Sequence, residues 1–281
     1  AFLASVTVTD PAEVLALVAA APGETLEVRL RALRAHIDLG VRDGDFGPAR
    51  AACDALLAGA GGDWRVAWYD GLLALATGDL DRARQRFDAV YAALPGELAP
   101  QVALGLTLEL AGDPGAAGYY DVVSRTDPAY TAAAAGLARC RLGAGDRSGA
   151  VEAYNRVPGT SSAYRSSQVG AVRALVQAHP SAVPDAVSLA AAAALIERLE
   201  IEAAQLAALR AELLEQALRT ISGGAALPAA VLGATRAGEV RERDVRFALE
   251  DAYREMARAA HGPEKIRLVD QANAVRLRTC T

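Results

Sequence analysis

The chain has 281 residues, of which 52% are hydrophobic, 5% aromatic and 22% charged. Ala, Leu, Arg and Glu predominate, and these residues head the helix-propensity scale, so the composition favours helices over a β-sandwich or barrel. The formal net charge of −5 excludes a general polyanion binder, and we expect no nucleic-acid partner.

The sequence shows no sign of a membrane anchor or a leader peptide. Its longest apolar runs, such as residues 189–196, fall short of the roughly 18 residues of a membrane helix, and no basic n-region marks a signal peptide. The three cysteines match no metal-ligand spacing and indicate a reducing compartment, so a cytoplasmic location is predicted. Residue 1 is not Met and the only Met is Met256, so we expect a piece of a longer protein.

The clearest pattern is an internal repeat marked by Gly-Asp pairs spaced 34, 34 and 33 residues apart. A helix–turn–helix unit of this period is typical of the tetratricopeptide repeat (TPR). In such a unit Gly ends the first helix in a left-handed conformation, and Asp caps the second helix. An Ala lies five residues after each Gly and lets the two helices approach. The pairs are Gly44-Asp45, Gly78-Asp79, Gly112-Asp113 and Gly145-Asp146, and the small residues are Ala49, Ala83, Ala117 and Ala150.

These signals predict, in chain order, a leading helix after Asp10-Pro11 and then four helix pairs. In the second unit Gly71 stands where helices must cross closely, and Phe87 stands where a large side chain fills the space between them. The pairs are expected at 27–41 with 47–58, 64–77 with 80–93, 98–111 with 114–125, and 129–143 with 147–157.

Beyond Pro158 the repeat becomes irregular, and Pro, Gly and apolar periodicity predict the elements. Leu206, Leu209, Leu213 and Ile221 form an apolar stripe, which is interpreted as core against neighbouring helices, with a dimer surface as the alternative. The predicted elements are a helix at 162–178, a helical stretch at 185–222 broken near 199–201, a loop at 222–238, and helices at 240–260 and 263–275.

Together these elements predict an all-α, TPR-type helical solenoid with a capping C-terminal helical tail. Solenoids end in atypical units, which accounts for the irregular tail. The expected divisions are a linker and leading helix at 1–26, four TPR-like repeats at 27–158, and degenerate helical repeats with a C-terminal cap at 159–281.

Three strings stand out beyond the repeat itself: Asp-Trp-Arg-Val-Ala-Trp-Tyr at 63–69, Leu-Pro-Gly-Glu-Leu-Ala-Pro at 94–100, and Val-Asp-Gln-Ala-Asn at 269–273. The second and third are far more specific than the TPR pattern alone. Together the three resemble the C-terminal TPR region of the soluble actinobacterial serine/threonine protein kinase G family, and the similarity covers nearly the whole chain. One departure is Leu277, where the family is expected to have Pro.

This resemblance implies a non-catalytic scaffold that supports the kinase domain, dimerisation or partner recruitment in an ATP-dependent kinase. A rubredoxin-like metal-binding module and the kinase domain would then precede Ala1. The alternative is a stand-alone TPR adaptor or the repeat segment of another bacterial regulator. An independent enzyme is a remote third hypothesis.

Asp45-Phe46-Gly47 spells the metal-binding triplet of protein kinases, but its context is wrong. No His-Arg-Asp loop precedes it, and the only Lys is Lys265. The triplet also falls on the first Gly-Asp turn, which explains it structurally. We therefore predict no catalytic, metal or cofactor site in this chain.

The first helices of TPR units line a concave groove, and counting back from each Gly-Asp pair gives its residues. Several Arg around a Trp would suit an acidic or carboxylate-bearing protein segment. The alternative is a solvated face whose Arg pair with nearby Asp or Glu, worth about 0–1 kcal/mol per pair, and this is favoured at most single positions. The expected partners are other proteins, the parent's kinase domain or a second copy of the chain. The predicted groove residues are Arg31, Arg34, Asp38, Arg65, Trp68, Glu109 and Arg139, with Leu72, Val102 and Leu106 between them.

Overall fold

Helices make up the architecture of the computed structural model, which describes residues 9–180, 183–233 and 238–276. No β-strand occurs within those ranges, and the predicted all-α fold is confirmed. Leu277 and Cys280 lie outside the described residues. The helices are α1 (Pro11–Ala19), α2 (Leu26–Asp43), α3 (Gly47–Ala60), α4 (Trp64–Ala76), α5 (Leu80–Ala93), α6 (Leu98–Leu110), α7 (Ala116–Thr126), α8 (Thr131–Gly143), α9 (Arg147–Tyr154), α10 (Tyr164–Val176), α11 (Ala186–Ile196), α12 (Ala203–Ser222), α13 (Glu242–Ala259) and α14 (Gly262–Val275).

The Gly-Asp pairs form the turns between paired helices. The four glycines have φ between 71° and 84°, which a side chain would strain. Each following Asp accepts a backbone N–H of the next helix or its approach; for example, Asp146 Oδ1 accepts from Gly149 N at 2.8 Å. The first turn contains Asp45-Phe46-Gly47, where Asp45 accepts from Gly47 N at 2.8 Å, so the structural interpretation of this triplet is confirmed.

Helix pairs are held by aromatic rings packed onto glycines. A Cβ on Gly71 of α4 would lie 2.7 Å from a ring atom of Phe87 on α5, and Phe87 is fully buried. Gly105 of α6 faces Tyr120 of α7 in the same way, at 3.0 Å. The predicted close crossing in the second repeat is therefore confirmed, and the third repeat uses a tyrosine.

Several helix boundaries in the repeats differ from prediction, most of them by one or two residues. Helix α7 begins at Ala116 rather than 114, because Asp113 accepts from Gly115 N at 2.8 Å and holds Pro114-Gly115 in a turn. The buried small residue of this repeat is consequently Ala116, while Ala117 is only half-buried. Helix α9 stops at Tyr154, three residues earlier than expected.

The later elements match the predicted order. The stretch at 185–222 breaks between α11 and α12, at residues 197–202. The predicted loop at 222–238 contains a 3₁₀ helix, Ala229–Leu232, which buries Val231. Its residues 234–237 lie outside the described ranges.

The chain divides into two compact units, Ala1–Val123 and Ser124–Thr281. In the second unit Leu209 and Leu213 are buried, and Leu206 and Ile221 pack against the same core. The core interpretation of the apolar stripe is thus confirmed. The finer division at 26 and 158 stays a prediction.

Candidate functional site

The first helices of repeats one and two carry five of the predicted groove residues. Arg31, Arg34 and Asp38 lie on α2, and Arg65 and Trp68 lie on α4. Arg34 Nε lies 2.9 Å from Asp38 Oδ2, and both side chains are exposed. This is the solvated ion pair that the alternative interpretation expected of Arg34, worth about 0–1 kcal/mol.

Tyr69 of α4 lies beside the charged face of α2. Burial raises the pKa of its phenol. Among the nearby charges, Arg34 lowers this pKa, Glu27 raises it and Arg31 lowers it, in decreasing order of effect. The charged residues of α2 and the aromatic residues of α4 therefore share one surface in the first unit.

A cavity of about 520 Å³ opens on this unit, and we call it the Trp64 pocket. Its walls come from α2, α4, the end of α5 and the start of α6, together with the α5–α6 turn. Charged side chains stand among mostly apolar ones. The lining consists of Glu27, Leu30, Trp64, Arg65, Trp68, Tyr69, Val90, Leu94, Glu97, Ala99 and Pro100.

The two tryptophans differ in their packing. Trp68 is half-buried, and its ring lies against Phe87 with a centroid distance of 5.4 Å and an interplanar angle of 59°. Trp64, the first residue of α4, is 44% exposed. Trp68 is thus a fixed wall of the pocket, and Trp64 offers an accessible indole face. The sequence contains no other Trp.

Arg65 at the pocket wall is held by two carboxylates. Its Nη2 lies 2.7 Å from Asp63 Oδ2, and its Nη1 lies 3.6 Å from Glu27 Oε2. The hydrogen bond from Arg65 lowers the pKa of Asp63, which also caps α4 by accepting from Arg65 N at 2.9 Å. The charge of Arg65 is therefore locally compensated.

An ion cluster around the buried Asp70 fixes α4 against α5. Asp70 is 1% exposed, with Arg82 Nη2 at 2.8 Å and Arg86 Nε at 2.6 Å from its carboxylate oxygens. Cys53 of α3 is buried beside it, and burial, followed by the charge of Asp70, raises the pKa of this thiol to about 12. A thiol so rarely ionised is a packing residue rather than a nucleophile.

Glu109 and Arg139, the remaining predicted residues, lie apart from the Trp64 pocket. Glu109 on α6 accepts a hydrogen bond from the Tyr120 hydroxyl at 2.8 Å and so joins α6 to α7. Arg139 on α8 belongs to the second unit and lines a different cavity there.

The second unit presents a basic surface centred on Arg165, at the start of α10. Two cavities of about 700 and 710 Å³ share Arg165 and Ile201. Arg173 Nη2 lies 2.9 Å from Glu212 Oε1, and Arg198 Nε donates to the Ala194 carbonyl at 3.2 Å. We define the Arg165 surface by its charged lining residues, Arg139, Arg165, Arg173, Arg198, Glu200 and Glu202.

Sequence reasoning missed Trp64, Glu97 and Arg165. The first two stand in the strings at 63–69 and 94–100, which carry the family resemblance, and the structure brings both strings to one pocket. Arg165 carried no signal, because it lies beyond the regular repeats, where counting from a Gly-Asp pair fails.

Within the described ranges, no group of three or more His, Cys, Asp or Glu side chains is arranged to hold a metal ion. None of the described helices combines the length and apolar character that crossing a membrane requires.

Comparison with known proteins adds a family to this geometry. The model of the protein kinase G tetratricopeptide repeat matches residues 1–279. The serine/threonine-protein kinase PknG of Mycolicibacterium smegmatis is 31% identical over 254 residues, 90% of this chain and 32% of that protein. PknG of Mycobacterium leprae is 32% identical over the same shares. The chain thus spans about a third of the length of these relatives.

Among solved structures, yeast Tom70 matches with a TM-score of 0.53 and 13% sequence identity. The match covers 94% of this chain and 53% of that one. It supports the helical-repeat fold.

Proposed function

This chain belongs to the protein kinase G tetratricopeptide repeat family, and from that premise we propose that it is the non-catalytic interaction and regulatory module of a cytoplasmic serine/threonine protein kinase. Its role is to hold the parent's kinase domain or a recruited protein against a preformed helical surface. The chemistry of phosphoryl transfer belongs to the part of the parent outside this chain.

The observation that carries the proposal is the Arg165 surface of the second unit. Four arginines and two glutamates line its two adjoining cavities, so the surface has an excess of positive charge although the whole chain is acidic. A local basic surface on an acidic protein favours a specific acidic segment over general polyanion binding.

The geometry of the arginines supports carboxylate recognition. Arg165 is exposed and lies between the two cavities, while Arg173 and Arg198 already use donors on Glu212 and on the backbone of α11. A guanidinium presents a planar fork that binds a carboxylate through two parallel hydrogen bonds. We therefore expect the exposed Arg165 to contact Asp or Glu side chains of the partner, and the exposed Arg139 beside the same cavity to add positive charge.

The first test is the gene sequence upstream of the codon for Ala1. We expect an in-frame kinase domain with a His-Arg-Asp loop and a strand Lys. A start codon at that place would contradict the kinase parentage and support the stand-alone TPR adaptor.

The second test is a calorimetric titration of the chain with the separately expressed upstream catalytic domain. We expect the double variant Arg139→Glu/Arg165→Glu to bind at least about tenfold more weakly, because two donors become repulsive charges. The double variant Arg50→Glu/Arg258→Glu, which makes the same charge change at exposed positions on α3 and α13, is the matched control.

Wild-type affinity in the double variant would remove the Arg165 surface from the proposal. Absence of binding by the wild-type chain would contradict support of the kinase domain in trans. Light scattering at the same concentrations tests self-association, the other partner mode that the sequence suggested.

A further inference from the structure

We propose that the Trp64 pocket is a second protein-binding site, which takes an Arg or Lys side chain flanked by apolar residues. Its charge preference is opposite to that of the Arg165 surface, which is proposed to bind acidic side chains. The inference rests on the proposed function only in that the chain is an interaction module. Its residues all lie in the first unit, so it can be tested independently of the Arg165 surface.

The pocket has the dimensions and the fixed walls of a preformed binding site. Its volume of about 520 Å³ lies within the range of roughly 300–1,000 Å³ that is typical of ligand pockets. Phe87 packs against the Trp68 ring, and the ion cluster around Asp70 fixes α4 on α5. Little conformational freedom is therefore left to lose when a side chain enters.

The aromatic lining offers both apolar contact and unused donors. Trp64 is 44% exposed, and Trp is a residue type enriched at the centres of protein interfaces. Neither Trp64 nor Trp68 donates its indole N–H to any described residue. These N–H groups can donate to backbone carbonyls of an incoming segment.

The charges around the rings select a cation. Arg65 supplies the only basic group among the described lining residues, and Asp63 and Glu27 already compensate it. Glu97, the residue before α6, is exposed, makes no side-chain cap hydrogen bond, and forms no ion pair with a described residue. Its carboxylate therefore stands uncompensated at the rim of an aromatic pocket.

An Arg or Lys side chain fits both the aromatic lining and the uncompensated carboxylate of Glu97. Its cationic end can face Glu97 and an indole face, an arrangement that attracts cations, while its aliphatic stem lies along the apolar wall. An acidic segment would instead meet Glu97 and Glu27, so the acidic partner proposed for the Arg165 surface is disfavoured here.

The chain reports on this pocket directly, because its two tryptophans both line it. The probe is the capped peptide acetyl-Gly-Leu-Arg-Leu-Gly-amide, titrated to millimolar concentration against the full chain while tryptophan fluorescence is recorded. Analogues with Gln and with Glu in place of Arg keep the apolar flanks. We expect saturable binding of the Arg peptide, about tenfold weaker binding of the Gln analogue, and weaker binding still of the Glu analogue.

A pair of variants ties the preference to one carboxylate. Glu97→Gln should abolish most of the preference for Arg over Gln, because it removes the rim charge and keeps the shape. Glu13→Gln makes the same charge change at an exposed position on α1 and should retain the preference. Circular dichroism confirms that both variants remain folded.

Equal binding of the Arg and Gln peptides would overturn the inference, and so would a preference that survives in Glu97→Gln. Absence of binding by every peptide would overturn it as well. In each case the titration of the Arg165 surface with the catalytic domain still decides the proposed function, since none of its variants touches the Trp64 pocket.

Discussion

Substitution of Gly71 by Ala tests whether the contact between a glycine and an aromatic ring sets the spacing of the helices in a repeat. The new Cβ would lie 2.7, 2.9 and 3.0 Å from three atoms of the Phe87 ring. Phe87 is fully buried and its ring also packs against Trp68, so the ring has little free space to move into. Overpacking of this kind costs about 1–3 kcal/mol of unfolding free energy.

The same substitution also brings a gain that must be separated from the clash. Replacing Gly by Ala inside a helix stabilises by about 0.5–1 kcal/mol. Gly118 on α7 provides the matched control, because it is helical and exposed, and a Cβ added there would have no neighbouring atom within 4 Å. The difference between Gly71→Ala and Gly118→Ala therefore isolates the clash, which we expect to be about 1–3 kcal/mol.

Urea unfolding followed by tryptophan fluorescence measures this difference. Trp64 and Trp68 both lie in the first unit, as do Gly71 and Gly118, so the signal reports the unit that is perturbed. Gly118→Ala should be at least as stable as wild type, and Gly71→Ala should unfold at lower urea. Equal midpoints for the two variants would refute the argument that Gly71 is required for close packing.

Two further predictions concern titrating groups. The first uses a variant whose only thiol is Cys53, and its reaction with Ellman's reagent at pH 8 should be very slow in the native chain and fast in urea. The reason is that a thiol pKa of about 12 leaves about one thiolate in ten thousand at that pH. Fast labelling of the native chain would contradict the burial of Cys53. Asp185 caps α11 by accepting from Ser188 N at 2.8 Å, and hydrogen bonds from the side chain and then the backbone of Ser188 lower its pKa. Its stabilisation is present above the unfolded pKa of about 3.9 and is lost as the pH falls through the lower folded value, so Asp185→Ala should cost about 1 kcal/mol at pH 7 and progressively less below pH 4 in thermal unfolding; a cost that does not change with pH would contradict the cap.

The sequence predicted the repeats well because their signals are local. A Gly that must adopt positive φ and an Asp that caps the next helix act within a few residues. All four glycines have positive φ, and Asp79 and Asp146 cap the helices that follow them. Asp45 and Asp113 instead accept hydrogen bonds two residues on, from Gly47 N and Gly115 N. The kinase G resemblance is confirmed for the same reason, since its strings are read along the chain. The start of α7 was wrong because Asp113, Pro114 and Gly115 form a turn that the repeat period alone does not reveal.

The candidate sites were predicted less completely, because each depends on residues from several helices. Arg65 and Trp68 follow from repeat position, whereas Glu97 joins them only where the α5–α6 turn meets α4. The repeat position of Arg65 also gave no account of its compensation by Glu27 from another repeat.

The sequence by itself determined the helical class, the period of the repeat, the turns and the family of this chain. These properties follow from backbone preferences and from patterns of neighbouring residues. Only the tertiary structure decided which charges are compensated and which remain available, as with Arg65 held by two carboxylates and Glu97 left at the rim. That outcome depends on distances between side chains of different helices, and packing fixes those distances.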